Sequence, residues 1–172
     1  EYTQLKELLS EDEYAAARAS TLNAHYTSPT VIRGIYDAVE RMGFQSGNIL
    51  EPSMGVGNFF GMLSTNMADS RLYGVELDSI TGRIAKKLYS QADITVAGFE
   101  TTDRRDFYDL AVGNVPFSQY KVNDKAYNKL GFSIHNYFFA KAIDENIACW
   151  VTFRPGHCRC RSSGSPRTAA AA

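Results

Sequence analysis

Asn48-Ile-Leu-Glu-Pro-Ser-Met-Gly-Val-Gly-Asn-Phe59 decides how this chain folds. A short apolar run stops at an acid, Glu51, and gives way to a loop carrying Pro52, Gly55 and Gly57. Glycines let the backbone turn tightly and approach a ligand closely, and the helix that follows presents free N–H groups. From these residues alone a plain turn reads equally well. The third glycine of the dinucleotide fingerprint is missing, and no Lys-Ser/Thr follows to make a phosphate-binding loop.

The pattern repeats downstream. Phe59 to Met67 reads as a helix, Arg71 to Leu77 as a strand, Ser79 to Tyr89 as a helix, and Asp93 to Ala97 as a third strand. Tyr108 to Gly113 reads as a fourth strand and leads into Asn114-Val-Pro-Phe117. Strands alternating with helices predict an open α/β sheet with a largely parallel core. Right-handed crossovers would then bring the carboxyl ends of all strands to one edge. Upstream, Val31, Ile32, Ile35 and Val39 mark one face of a helix from Pro29 to Met42, with Ser28 or Thr27 as cap and Gly43 as stop. Residues 2–24 read as one or two helices interrupted near Ser10, where Ser10 and Glu13 resemble a capping box. Residues 118–131 read as a polar loop and His135 to Ile147 as a helix.

Composition bounds the function. With 172 residues, 44% of them hydrophobic, the chain has the size and core of one domain. The net charge of −1 gives no bulk positive field, and residues 1–146 hold 14 basic against 19 acidic side chains. No run approaches the roughly 20 apolar residues of a membrane span, and the acidic start is no secretory signal. Cysteines occur only at 149, 158 and 160, which rules out a disulfide-built fold and fits a reducing cytoplasm. From about Cys149 onward the chain is expected to add no stable part of the fold, Cys149–Phe153 making at most a strand stub. The expected division is therefore a helical extension (1–24), an α/β domain (25–148) and an irregular tail (149–172). His157, Cys158 and Cys160 lack a fourth ligand, so no metal is expected.

Three features carry chemistry. Glu76 ends the second strand, where an acid can accept from ribose hydroxyls. Asn114 and Pro116 offer two acceptors for an exocyclic amino group, and Phe117 offers a flat face for its ring. The glycine loop is expected at the same carboxyl edge as both. Lys86-Lys87 and Arg104-Arg105 read as solvated, though either pair could touch phosphate.

Taken in order, Glu51-Pro-x-x-Gly-x-Gly57, Glu76 and Asp109-Leu-Ala-Val-Gly-Asn-Val-Pro-Phe117 resemble S-adenosylmethionine (SAM) dependent methyltransferases that modify amino nitrogens. Tyr26-Thr-Ser-Pro29 ahead of the glycine loop resembles the gamma-class order of N6-adenine DNA methyltransferases, over roughly residues 24–146. The Asn-Val-Pro-Phe variant with Tyr120-Lys-Val122 resembles methylase domains of helicase-associated proteins of bacterial mobile elements. The resemblance implies a Rossmann-like methyltransferase fold, incomplete at its C-terminal end. It implies that Glu51, Gly55 and Gly57 cradle the methionine part of SAM, with Thr27 and Pro29 closing over it. Glu76 would bind the ribose, Leu77 would pack on the adenine, and Asn114, Pro116 and Phe117 would hold a target base flipped from DNA. Val115 departs from the usual proline, and Glu100 is either the expected acid after the third strand in shifted register or a solvated carboxylate. DNA would be gripped through a further recognition region or partner domain. An amino-group methyltransferase acting on protein glutamine or RNA, or an inactive cofactor-binding module, would carry the same residues.

Overall fold

A computed structural model describes residues 6–23, 26–117, 120–154 and 157–159. Helices α1 (Glu11–Asn23) and α2 (Pro29–Arg41) precede strand β1 (Asn48–Glu51) and the one-turn α3 (Asn58–Gly61). Then come β2 (Arg71–Glu76), α4 (Ser79–Leu88), β3 (Asp93–Val96), β4 (Tyr108–Gly113), α5 (Ile134–Glu145), β5 (Asn146–Arg154) and β6 (His157–Arg159). The sheet runs β3-β2-β1-β4-β5-β6; its first five strands are parallel and β6 is antiparallel. This is the largely parallel α/β sheet that the alternation predicts and the Rossmann-like fold that the resemblance implies. Strand order reverses between β1 and β4, and a ligand crevice opens at such a reversal.

Alternation along the strands builds a core on each face. Ile49, Leu110 and Val112 point to one side, against Ile32, Ile35, Tyr36 and Val39 of α2. Leu50, Val75 and Ala111 point to the other, against Ile134, Tyr137, Phe138 and Ala142 of α5. Full burial of each large apolar side chain contributes about 1.5–3 kcal/mol. The α2 start follows its signals: Ser28 is the N-cap, accepting from the Val31 N–H at 3.4 Å, with Pro29 in the first turn. Ser10 and Glu13 form the reciprocal capping box, each accepting from the other's backbone N–H at 3.2 and 3.1 Å.

Three expectations need correction. Phe59–Met67 is not one helix: α3 ends at Gly61, and a separate 3₁₀ turn covers Thr65–Met67 with Ser64 at its N-cap. Adjacent Phe59 and Phe60 enter different core clusters, which a single turn allows. The last helix stops at Glu145 rather than Ile147, where the Asn146 side chain donates to the Ala142 carbonyl at 2.9 Å. Finally, the tail is not irregular from Cys149. Asn146–Arg154 pairs with β4 as a strand, and His157–Arg159 pairs back on it. Branched and aromatic residues at 147 and 150–153 suit an extended backbone. Residues 155–156 and 160–172, including Cys160 of the metal-capable group, lie outside the described residues.

Candidate functional site

The loops after β1, β2 and β4 meet at the carboxyl edge and are tied together by hydrogen bonds. Gly55 and Gly57 both have positive φ, +57° and +85°. The Gly55 N–H donates to Glu76 Oε2 at 2.7 Å, and the Asp78 N–H donates to Glu76 Oε1 at 2.8 Å. Ser53 Oγ donates to the Asn114 backbone carbonyl at 2.9 Å, joining the glycine loop to Asn114–Phe117. Pro52 is buried, and it and Glu51 pack closely over Gly113 at the end of β4.

Glu51 is 2% exposed, and its Oε2 atom has no hydrogen-bond partner among the described residues. Burial, then the charge of Glu76, pushes its carboxyl well above the ordinary carboxylate range. Glu76 is also raised by burial, held back by the N–H groups of Asp78 and Gly55. Beside the glycine loop lies an open cleft of about 420 Å³, lined by Tyr26, Thr27, Ser28, Pro29, Ile32, Asn58, Gly61, Met62 and Tyr89. Tyr89 donates from its hydroxyl to the Gly57 carbonyl at 2.7 Å. Thr27 and Pro29 thus share a wall with the turn that follows Gly57. Leu77, next to Glu76, is 73% exposed, an open apolar face.

At the β4 end, Val115 is buried in the α5-side core, which accounts for a branched apolar residue at that position. Phe117 is 40% exposed and stands edge-to-face with His135 of α5, centroids 5.4 Å apart. His135 carries no sequence signal of this role, because its partner is 18 residues away and set only by where α5 docks. Tyr89 was missed for the same reason; its proximity to Gly57 depends on how α4 ends. Glu100 is exposed in the 3₁₀ turn after β3. Arg104 is not available for phosphate at this edge. It pairs with Asp93 at 3.1 Å and stacks on Tyr73 and Phe107 at 5.0 Å, and Asp93 begins β3 at the opposite edge. Lys86 and Lys87 are exposed on α4.

The donor set fits SAM. A buried acceptor without a partner suits the amino group of its methionine part, a carboxylate at the β2 end suits ribose hydroxyls, and exposed Leu77 suits an adenine face. Among the described residues no group of three or more His, Cys, Asp or Glu could hold a metal ion, and no helix is long and apolar enough to cross a membrane.

No protein-family model matches the chain. It is 28% identical over 131 residues to the defense against restriction protein B of Escherichia phage P1, covering 73% of the chain and 6% of that protein. It is 36% identical over 93 residues to the type II methyltransferase M.CvrRI of Paramecium bursaria Chlorella virus XZ-6E, covering 54% of the chain and 24% of the relative. The chain therefore spans a minor part of the curated relatives it matches. Among solved structures, a geranyl diphosphate methyltransferase with GPP and sinefungin aligns with a TM-score of 0.53 at 13% identity, over 72% of this chain and 44% of that one. The mycolic acid cyclopropane synthase CmaA1 with SAH aligns at 0.51 and 20% identity, over 70% and 40%. These likenesses show the fold: the chain has the Rossmann-like architecture of SAM-dependent methyltransferases.

Proposed function

We propose that this chain is the catalytic domain of a SAM-dependent methyltransferase acting on the exocyclic amino group of adenine in DNA. The observation that carries the reading is the Ser53–Asn114 hydrogen bond at the strand-order reversal. It fixes an amine-accepting loop beside a glycine turn suited to the cofactor. The viral type II methyltransferase relative supports the activity, and the gamma-class motif order supports adenine.

When bound, SAM supplies an electrophilic methyl group. Glu51, the Gly55–Gly57 turn, Thr27 and Pro29 hold its methionine part, and Glu76 and Leu77 hold its nucleoside. Asn114 and Pro116 accept hydrogen bonds from the target amino group and aim its nitrogen, while Phe117 stacks on the base. Holding two reactants in line supplies most of the acceleration such a transfer needs. The acidic balance of residues 1–146 assigns the grip on DNA to a further region or partner.

The test is incubation with tritium-labelled SAM and DNA, RNA or bulk protein in turn. Label recovered as N6-methyladenine from DNA is the expected result, and label on RNA or protein glutamine instead would replace the substrate assignment. Asn114→Ala should lower transfer on the order of 100-fold while cofactor affinity stays nearly unchanged, because its side chain is assigned to the substrate amine rather than to the cofactor. Calorimetry showing an equal loss of SAM binding would move Asn114 to the cofactor.

A further inference from the structure

Glu51 is a buried carboxyl that is costly to leave charged. It follows two fully buried strand residues, Ile49 and Leu50, and is itself 2% exposed. Ile49 and Glu51 share the α2 face of the sheet, two residues apart on a strand. The titratable groups that feel it are Glu76 after β2, Tyr36 on α2 and Tyr89 at the end of α4. All are acids, and Gly113 at the end of β4 lies beside the Glu51 Cγ. Tyr36 is itself engaged, donating to the Phe59 carbonyl at 3.0 Å, and Tyr89 donates to Gly57. Neither hydroxyl proton is directed at Glu51, whose Oε2 atom stays without a partner among the described residues. An isolated carboxylate in such surroundings is unfavourable by several kcal/mol, and the group takes up a proton instead.

We propose that Glu51 is a neutral carboxylic acid in the ligand-free chain, and that it releases its proton to solvent as it pairs with the amino group of the cofactor's methionine part. The inference rests on the methyltransferase reading and adds how the site chooses its ligand. Glu51 ionises only for a molecule that brings a cation into its pocket. The residue thereby selects adenosyl compounds that keep the amino-acid end over those that have lost it. The O–H bond of Glu51 breaks, its electron pair stays on the carboxylate, and the buffer takes the proton. No bond to the ligand forms.

Two adenosyl probes separate the parts. S-adenosylhomocysteine keeps the ammonium group but carries no methyl to transfer, and methylthioadenosine lacks the amino-acid end. Titration calorimetry at pH 7 is run in buffers of different ionisation enthalpy. S-adenosylhomocysteine should release about one proton per molecule bound, and methylthioadenosine about none. As pH rises from 5 to 7 the affinity for S-adenosylhomocysteine should climb by up to about tenfold per pH unit, as required when binding needs a deprotonated group. Glu51→Gln should bind S-adenosylhomocysteine roughly 10- to 100-fold more weakly and release no proton. Binding of S-adenosylhomocysteine without buffer dependence, or proton release that persists in Glu51→Gln, overturns the proton exchange and leaves the methyltransferase reading standing. No binding of either SAM or S-adenosylhomocysteine at any pH overturns both. The buffer and pH series on the unaltered chain decide the matter even if the variant does not fold.

Discussion

Gly57 carries three constraints on one Cα atom. Its φ of +85° is strained for any L side chain, an added Cβ would run into the Tyr89 ring, and its carbonyl accepts the Tyr89 hydroxyl. Gly55 has only the first of these, with φ +57° and open space where a Cβ would go. The two glycines of one motif therefore separate under substitution. Gly55→Ala should cost about 1–2 kcal/mol, the left-handed penalty alone. Gly57→Ala should cost more, about 3 kcal/mol, because the Tyr89 ring must move and its hydrogen bond is lost with it. In thermal denaturation of a chain this long, each kcal/mol lowers Tm by roughly 2–4 °C. Equal losses for the two variants would show that the Tyr89 contact is not what fixes the turn. The motif gave no hint of this difference, since both glycines look alike until α4 delivers Tyr89.

At the scale of elements, α5 is held down by a polar network at the edge opposite the loops. Lys141 is 5% exposed. Its Nζ donates to the Thr102 carbonyl at 2.7 Å and to Asp124 Oδ2 at 3.1 Å, with Glu145 Oε1 at 3.8 Å. Asp124 also accepts from the Tyr137 hydroxyl at 2.8 Å, so the segment after the Asn114–Phe117 loop is pinned to α5 at two points. Removing one partner of a buried ion pair leaves the other charges uncompensated. Lys141→Met should lower stability by about 3–5 kcal/mol, seen as a lower urea midpoint with an unchanged slope. A change under 1 kcal/mol would mean that water reaches Asp124 and Glu145 freely. This network was invisible in the sequence, where residues 118–131 read only as a polar loop and nothing marks Lys141 as its partner. By contrast β1 and β4 could be bounded to the residue, because burial on both faces writes an apolar run that stops at a turn. β5 could not. Its partner is β4 and the stretch that follows it is rich in Arg and Cys, so its pairing depends on a neighbour the local composition does not announce.

Over the whole molecule, the two edges of the sheet treat charge in opposite ways. At the amino edge Arg104 is paired with Asp93 and lies against the Tyr73 and Phe107 rings, and Lys141 has three acceptors within 3.8 Å. At the carboxyl edge Glu51 and Glu76 have no paired cation among the described residues, and burial raises both carboxyls. Stability is thus withheld where a cationic ligand is expected to bind, a common arrangement at functional sites. Its pH dependence has a definite sign. The ordinary value for Glu51 is 4.5, and the folded state raises it. Below about 4.5 the group is protonated both folded and unfolded, and its full contribution to stability is present. As pH rises through the window from 4.5 to the raised value, the unfolded chain loses the proton more readily than the folded one, and stability falls. Glutamine mimics the neutral acid and does not titrate. Empty Glu51→Gln should therefore match the parent chain near pH 4 and become progressively more stable than it toward neutral pH. Urea denaturation at several pH values reads the gap directly. The Glu76 contribution is common to both chains and largely cancels, apart from its coupling to Glu51. A gap that stays constant from pH 4 to 8 would show that Glu51 is ionised alike in the folded and unfolded chains. Saturating SAM should then narrow the gap at neutral pH, since only the parent chain has a carboxylate to pair with the ligand's cation, and bound ligand adds its own binding free energy to stability.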